Sequence, residues 1–166
     1  MGRYRPPPPP RSKYITQAGK EKLQAELDYL WSTKRPKITK AVQEAAAQGD
    51  RSENAEYIYR KKQLREIDRR IRYLQKRLPD LNVVTEVGNT EQIFFGARVT
   101  LEREDGSEVS YRIVGGDEID SDSSKGYISV DSPMARAMLK KTVDDEIVLR
   151  RGDQESMFTV VAIDYT

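Results

Sequence analysis

With 166 residues, 37% hydrophobic and 34% charged, the chain is lean for one large core and suits one domain or two small ones. It has no Cys and no His, which excludes disulfides, thiolate and imidazole metal sites and a Ser-His triad, so acid–base or metal chemistry falls to carboxylates, Lys or Tyr. The net charge of +2 hides an asymmetry: residues 1–78 hold 20 Lys/Arg and 9 Asp/Glu while residues 79–166 hold 9 and 18, so a basic module precedes an acidic one.

Residues 1–13 read as a Pro-rich tail. Pro6 to Pro10 lack amide hydrogens and have fixed φ, which predicts a solvated, polyproline-like, disordered extension. The N-terminus has no apolar signal-peptide core, and no apolar run reaches the roughly 18 residues of a membrane span. A cytoplasmic protein that avoids membranes is expected.

Residues 14–79 read as an antiparallel coiled-coil hairpin. Thr16 to Gln48 is the first helix, with Thr16 as N-cap and Leu23, Leu27, Leu30, Ile38, Val42 and Ala45 at three- and four-residue steps. Pro36 predicts a kink, since the apolar pattern resumes behind it. Asn54 to Leu78 is the second helix, with a heptad seam of Leu64, Ile67, Ile71, Leu74 and Leu78, stopped by Pro79. Leu23 faces Leu78, Leu27 faces Leu74 and Leu30 faces Ile71 about one mirror point midway between Asp50 and Arg51.

The tip of that hairpin is the stretch AAAQGDRSENAEY, Ala45 to Tyr57. Gly49 suits a helix end, Asp50 can cap the second helix, and Glu53 completes a capping box with it. Glu56 in the next turn favours the positive end of the helix dipole. Capping therefore accounts for all three acids. The charge map supports a second reading. From Ala41 to Tyr59 there are four acids, Glu44, Asp50, Glu53 and Glu56, against one base, Arg51. Lys34, Arg35, Lys37 and Lys40 precede this patch, and nine Lys/Arg lie between Arg60 and Arg77. An acidic point on a basic rod suits a site holding both nucleic acid and Mg²⁺, and such carboxylates can complete another protein's metal site. On the residues alone both readings stay open, and both draw on the same oxygens.

Residues 80–166 read as a compact α+β domain with a mostly antiparallel sheet. Phe94–Glu102, Glu108–Gly115, Gly126–Val130, Glu146–Arg150 and Ser156–Ile163 have strand patterns, and Asp105-Gly106 is a hairpin turn. Ser132–Lys141 is a short helix with Ser132 as N-cap and Pro133 at its first position.

The tip GDRSENAEY resembles the most specific motif of the bacterial Gre transcript-cleavage factors, of the GreB type. SVDSPMARAMLKKTVDD (Ser129–Asp145) resembles their second signature, and ELDYLW, REIDRRIRYL and FFGA fit as well, so the likeness runs over about residues 14–165. It implies an α+β fold with an FKBP-like C-terminal domain beside the coiled coil. It also implies a transcription elongation factor, expected as a monomer, that enters the secondary channel of RNA polymerase and acts on the 3′ end of nascent RNA. There it stimulates the polymerase's own cleavage of backtracked RNA, with no enzyme activity of its own. Asp50 and Glu53 fall on the family's catalytic positions, which hold a Mg²⁺ shared with the polymerase, and Glu56 on an acidic position that assists. Lys61, Lys62 and Arg65 fall in the RNA-contacting basic patch, and Asp131, Ser132 and Pro133 in the polymerase-binding loop. Asp144 departs from the pattern, standing where many members have Gly. Two rival functions share these features: a channel-binding inhibitor of polymerase, and a coiled coil that binds DNA or RNA without polymerase.

Overall fold

The computed structural model describes residues 6–49, 54–120 and 122–166. They form two compact units: Lys20–Leu81, and Asn82–Thr166 together with the segment through Gly19. Among the described residues no helix is long and apolar enough to cross a membrane.

The first unit is the hairpin. Helix α1 spans Gln17–Tyr29, a π-helical turn follows at Leu30–Lys34, and α2 runs over Arg35–Ala46. Helix α3 returns over Ala55–Arg77 and closes in a 3₁₀ turn at Leu78–Asp80 that carries Pro79. The arms are antiparallel. Glu26 takes Arg70, Arg35 takes Asp68, and Ala45 takes Asn54, so partners ascend on one arm as they descend on the other. Leu23, Leu30, Ile38 and Ala45 of the first arm and Ile67, Ile71, Leu74 and Leu78 of the second are buried, whereas Leu27 and Leu64 are half-buried. The seam thus narrows to alanine at the tip end.

Pro36 acts one turn earlier than a simple kink would place it. Proline has no amide hydrogen for the carbonyl four residues back, and its ring crowds that carbonyl. The chain responds by widening the turn before it. The Arg35 N–H donates to the Leu30 carbonyl, five residues back, and Pro36 then sits in the first turn of α2. The helical path is kept and the register shifts.

In the second unit, strand β1 (Tyr14–Ile15) pairs in parallel with β2 (Asn82–Val83). Residues 14–19, counted with the hairpin on sequence grounds, group here instead. Ile15 is fully buried, and the Thr16 backbone N–H and hydroxyl both donate to the Glu118 carboxylate. Thr16 caps α1 as expected, its hydroxyl oxygen accepting from the Gly19 N–H at 3.0 Å. A Cβ at Gly19 would lie 2.2 Å from a Glu118 oxygen, so a larger residue there would have to displace the Glu118 carboxylate.

Five further strands make a sheet: β3 (Arg98–Arg103), β4 (Glu108–Val114), β5 (Tyr127–Ser129), β6 (Glu146–Arg151) and β7 (Gln154–Asp164), ordered β5-β4-β3-β7-β6. Every neighbouring pair is antiparallel except β4 and β5, so the sheet is mostly antiparallel as expected, with one parallel pair. The reason is connectivity: β4 returns to β5 through two 3₁₀ turns rather than a tight hairpin. A bulge where β7 passes Thr100 and Leu101 bends the sheet. Helix α4 (Pro133–Met138) buries Met134, Ala135 and Met138 in a core with Val99, Leu101, Ile113, Ile147 and Val160. The curved sheet around one short helix is the FKBP-like arrangement.

Asp144 adopts φ 73°, a left-handed conformation that costs a residue with a Cβ about 1–2 kcal/mol. Its N–H donates to the Val160 carbonyl at 2.8 Å, which fixes the turn. Glycine would remove the steric cost and add unfolded-state entropy that offsets part of the gain. Asp144→Gly is expected to raise stability by about 0.5 kcal/mol, read as an upward shift of the thermal midpoint.

Candidate functional site

Asp50 and Glu53 lie outside the described residues, so the site is built from the ends that carry them. Helix α2 stops at Ala46, and the Ala47 and Gln48 amides close its last turn on the Gln43 and Ala45 carbonyls. Gly49 follows with φ 152°, a value suited to glycine. Helix α3 starts at Ala55, and its N-cap is Asn54, not Asp50. The Asn54 Oδ1 accepts from the Tyr57 N–H at 3.1 Å. Its Nδ2 donates to the Ala45 carbonyl at 2.7 Å. One side chain therefore caps α3 and ties it to the end of α2. The cap predicted for Asp50 is supplied four residues later, because Asn is as good an N-cap as Asp and can also donate.

Glu56, in the first turn of α3, accepts from Arg60 at 2.8 Å. Both side chains are partly exposed, so this pair contributes little to stability, and Glu56 is released at small cost. Among the described residues no group of three or more acidic side chains gathers around a common point. The tip carboxylates offer hard oxygens of the type Mg²⁺ prefers.

Lys61, Lys62 and Arg65 all lie exposed on α3. The Lys61 Nζ sits 5.4 Å from the centre of the Tyr57 ring. Lys61 and Arg65 are four residues apart and share a helix face, with Lys62 a step around. Lys62 opens onto a groove of about 370 Å³ between the arms, with Lys34, Tyr59, Gln63 and the Glu26–Arg70 pair in its walls. Tyr59 is 58% exposed and Trp31 equally so, each beneath an arginine, Arg60 and Arg35 respectively. Exposed rings with cations over them present flat faces to stacking as well as charge to phosphate.

In the second unit Asp131, Ser132 and Pro133 join β5 to α4. The Ser132 hydroxyl oxygen caps α4, accepting from the Ala135 N–H at 3.2 Å, and Pro133 fills the first position. An Asp131 carboxylate oxygen accepts from the Ser12 N–H at 2.8 Å. Asp131 and Ser132 are half-buried and Pro133 is exposed. Two of the three residues assigned to a partner surface therefore also hold their own loop together.

Residues 13–83 match the model of the transcription elongation factor N-terminal domain, and residues 88–165 match that of the GreA/GreB C-terminal domain. The transcription elongation factor GreB of Pseudomonas aeruginosa is 52% identical over 166 residues, covering 99% of this chain and 98% of that protein. GreB of Xanthomonas axonopodis pv. citri is 53% identical over 167 residues, with the same coverage. The chain belongs to the GreA/GreB family of transcription elongation factors. Among solved structures, the GreA factor homolog 1 of Thermus thermophilus is 29% identical, covering 93% of this chain and 99% of that one, with a TM-score of 0.42.

Two residues of this GreA/GreB chain escaped the sequence reading. Asn54 was seen only as a helix start, although its rank as an N-cap was a usable signal. Glu118 gave no local signal, because its partner Thr16 lies 102 residues away.

Proposed function

We propose that this elongation factor inserts its hairpin into the secondary channel of RNA polymerase and stimulates cleavage of the 3′ segment of RNA in backtracked complexes. The observation that carries this reading is the cap of α3. Asn54 supplies it, so the helix does not require Asp50 or Glu53 for that purpose. A cap supplied by Asn54 supports a chemical role for the two acids over a capping one.

Asp50 and Glu53 would hold a Mg²⁺ shared with the polymerase, and that ion, once bound, would polarise a water for attack on the phosphodiester. Glu56 joins them when it leaves Arg60. Lys61, Lys62 and Arg65 engage phosphates of the extruded 3′ RNA, and their contribution weakens as salt rises. Asp131, Ser132 and Pro133 meet the polymerase at the channel rim. The protein works as a cytoplasmic monomer, and the bond-breaking site belongs to the polymerase.

Adding the protein to a halted, backtracked elongation complex is expected to raise the rate of RNA cleavage and restore elongation. A fall in cleavage would instead mark an inhibitor. Tight binding to free RNA or DNA with no affinity for polymerase would mark an independent nucleic-acid binder.

A further inference from the structure

The groove of about 370 Å³ between the arms is large enough for a small organic ligand. We infer that it is a base-binding site. It takes one nucleotide of single-stranded RNA, with the base against the Tyr59 ring and the flanking phosphates at Lys34 and Lys62. This inference deepens the proposed function and rests on it for the identity of the RNA, the extruded 3′ segment. It gives a place to a base, where Lys61, Lys62 and Arg65 engage phosphates.

Pro36 shapes one wall. The widened π-helical turn before it, Leu30–Lys34, supplies Leu30 and Lys34 to the groove. Such turns break the regular helical path and recur at functional sites. On the other wall Tyr59, Lys62, Glu66 and Arg70 follow at steps of three and four, which places them on one face of α3. Leu30 and Ile67 are buried side chains that also line the groove, so its floor is apolar. Each part matches a part of a nucleotide. The Tyr59 ring is largely exposed, with the Arg60 guanidinium 5.5 Å from its centre, and offers a flat face to a base. Among the described residues Lys34 and Lys62 have no ion-pair partner, so their charge is open to phosphate. The two carboxylates of the groove differ. Glu26 is neutralised by Arg70 through bonds of 2.7 and 3.0 Å. Glu66 is left as an acceptor for the amino group on the edge of a base. Phosphate contact alone has no use for an apolar floor, an open ring and a carboxylate; a base uses all three.

Base and phosphate separate by the choice of probe. One probe is an abasic ribose-phosphate chain of about five residues, and the other is the same chain carrying a single adenine. Titrated into the isotope-labelled full chain, the adenine probe is expected to bind about tenfold tighter, the scale of one base–aromatic stack, and to shift the backbone amides of residues 30–34 and 59–67. Tyr59→Leu is expected to remove that preference without changing the thermal midpoint. Tyr59→Phe, which keeps the ring, is expected to retain it. Equal binding of the two probes, shifts confined to residues outside the groove, or a Tyr59→Leu variant that still prefers adenine overturns the inference. In a backtracked complex Tyr59→Leu is expected to lower the cleavage rate at saturation about tenfold, with half-saturation of polymerase at the same concentration. If it cleaves at the unmodified rate while Asp50→Asn is inactive, the groove does not hold the extruded RNA, and the inference fails while the proposed function stands. If the unmodified protein itself stimulates no cleavage, the proposed function has failed, and the adenine preference still decides whether the groove takes a base.

Discussion

Asp50→Asn is expected to reduce stimulated RNA cleavage by about 10²-fold or more, the loss that accompanies removal of one preorganised electrostatic group from a reacting centre. The same substitution is expected to change folding stability by no more than about 0.5 kcal/mol. The two halves of the prediction have different origins. Stability is protected because α3 takes its cap from Asn54 and its first-turn acid from Glu56. Activity is exposed because asparagine has the shape of aspartate without the charge that Mg²⁺ requires. Glu53→Gln should behave in the same way. Raising the Mg²⁺ concentration should restore part of the cleavage by either variant, since weaker binding is offset by mass action. The measurements are single-turnover cleavage in a backtracked complex, competition for polymerase binding, and thermal unfolding. Full activity in Asp50→Asn would leave Asp50 without a chemical role.

The hairpin was largely legible in the sequence, because a heptad seam is a local signal repeated over many turns. Ile67, Ile71, Leu74 and Leu78 were readable from spacing, and the same residues are buried. The return of one arm onto the other was readable from matching registers, and the cross-links Glu26–Arg70 and Arg35–Asp68 follow that order. The response to Pro36 was not readable. The sequence shows that a hydrogen bond must be lost there, but a kink and a widened π-helical turn satisfy that loss in different ways, and packing selects between them. The parallel pairing of β4 with β5 was hidden because strand patterns carry no direction. The attachment of residues 14–19 to the sheet unit depends on Glu118, whose partner is distant in the chain.

At the candidate site the limits of the sequence were different. Residue types and charge identified a basic face and an acidic tip. They could not allocate hydrogen bonds among Asp50, Glu53 and Asn54: Asp and Asn are both good N-caps, and Glu53 stands at capping-box spacing from Asp50. That allocation is a competition decided by geometry at the helix start, and it went to Asn54, the one of the three that can also donate to Ala45. The family resemblance carried the roles of Lys61, Lys62 and Arg65, which no spacing rule distinguishes from the other cations on α3. Asp131 shows the reverse. Its place in a loop was readable, but its bond to the Ser12 amide joins positions 119 residues apart.

Leu74→Ala is expected to cost the hairpin about 2–5 kcal/mol, and Glu26→Gln less than about 1 kcal/mol. Both residues link the arms, so the contrast measures what holds them together. Leu74 is fully buried in the seam. Truncating it removes transfer free energy and leaves a cavity that rigid neighbours cannot fill. Glu26 meets Arg70 through two bonds of 2.7 and 3.0 Å, the strongest geometry for such a pair. Yet its side chain is 36% exposed and that of Arg70 is 42% exposed, so water and salt screen most of the attraction. Hydrogen exchange over residues 20–81 should accelerate strongly in Leu74→Ala and scarcely change in Glu26→Gln. Cleavage should fall in Leu74→Ala as well, but with a loss of polymerase affinity that Asp50→Asn does not share, because a hairpin that opens cannot present its tip. If the two substitutions prove equally costly, the arms are held by surface charge and the seam has been overvalued.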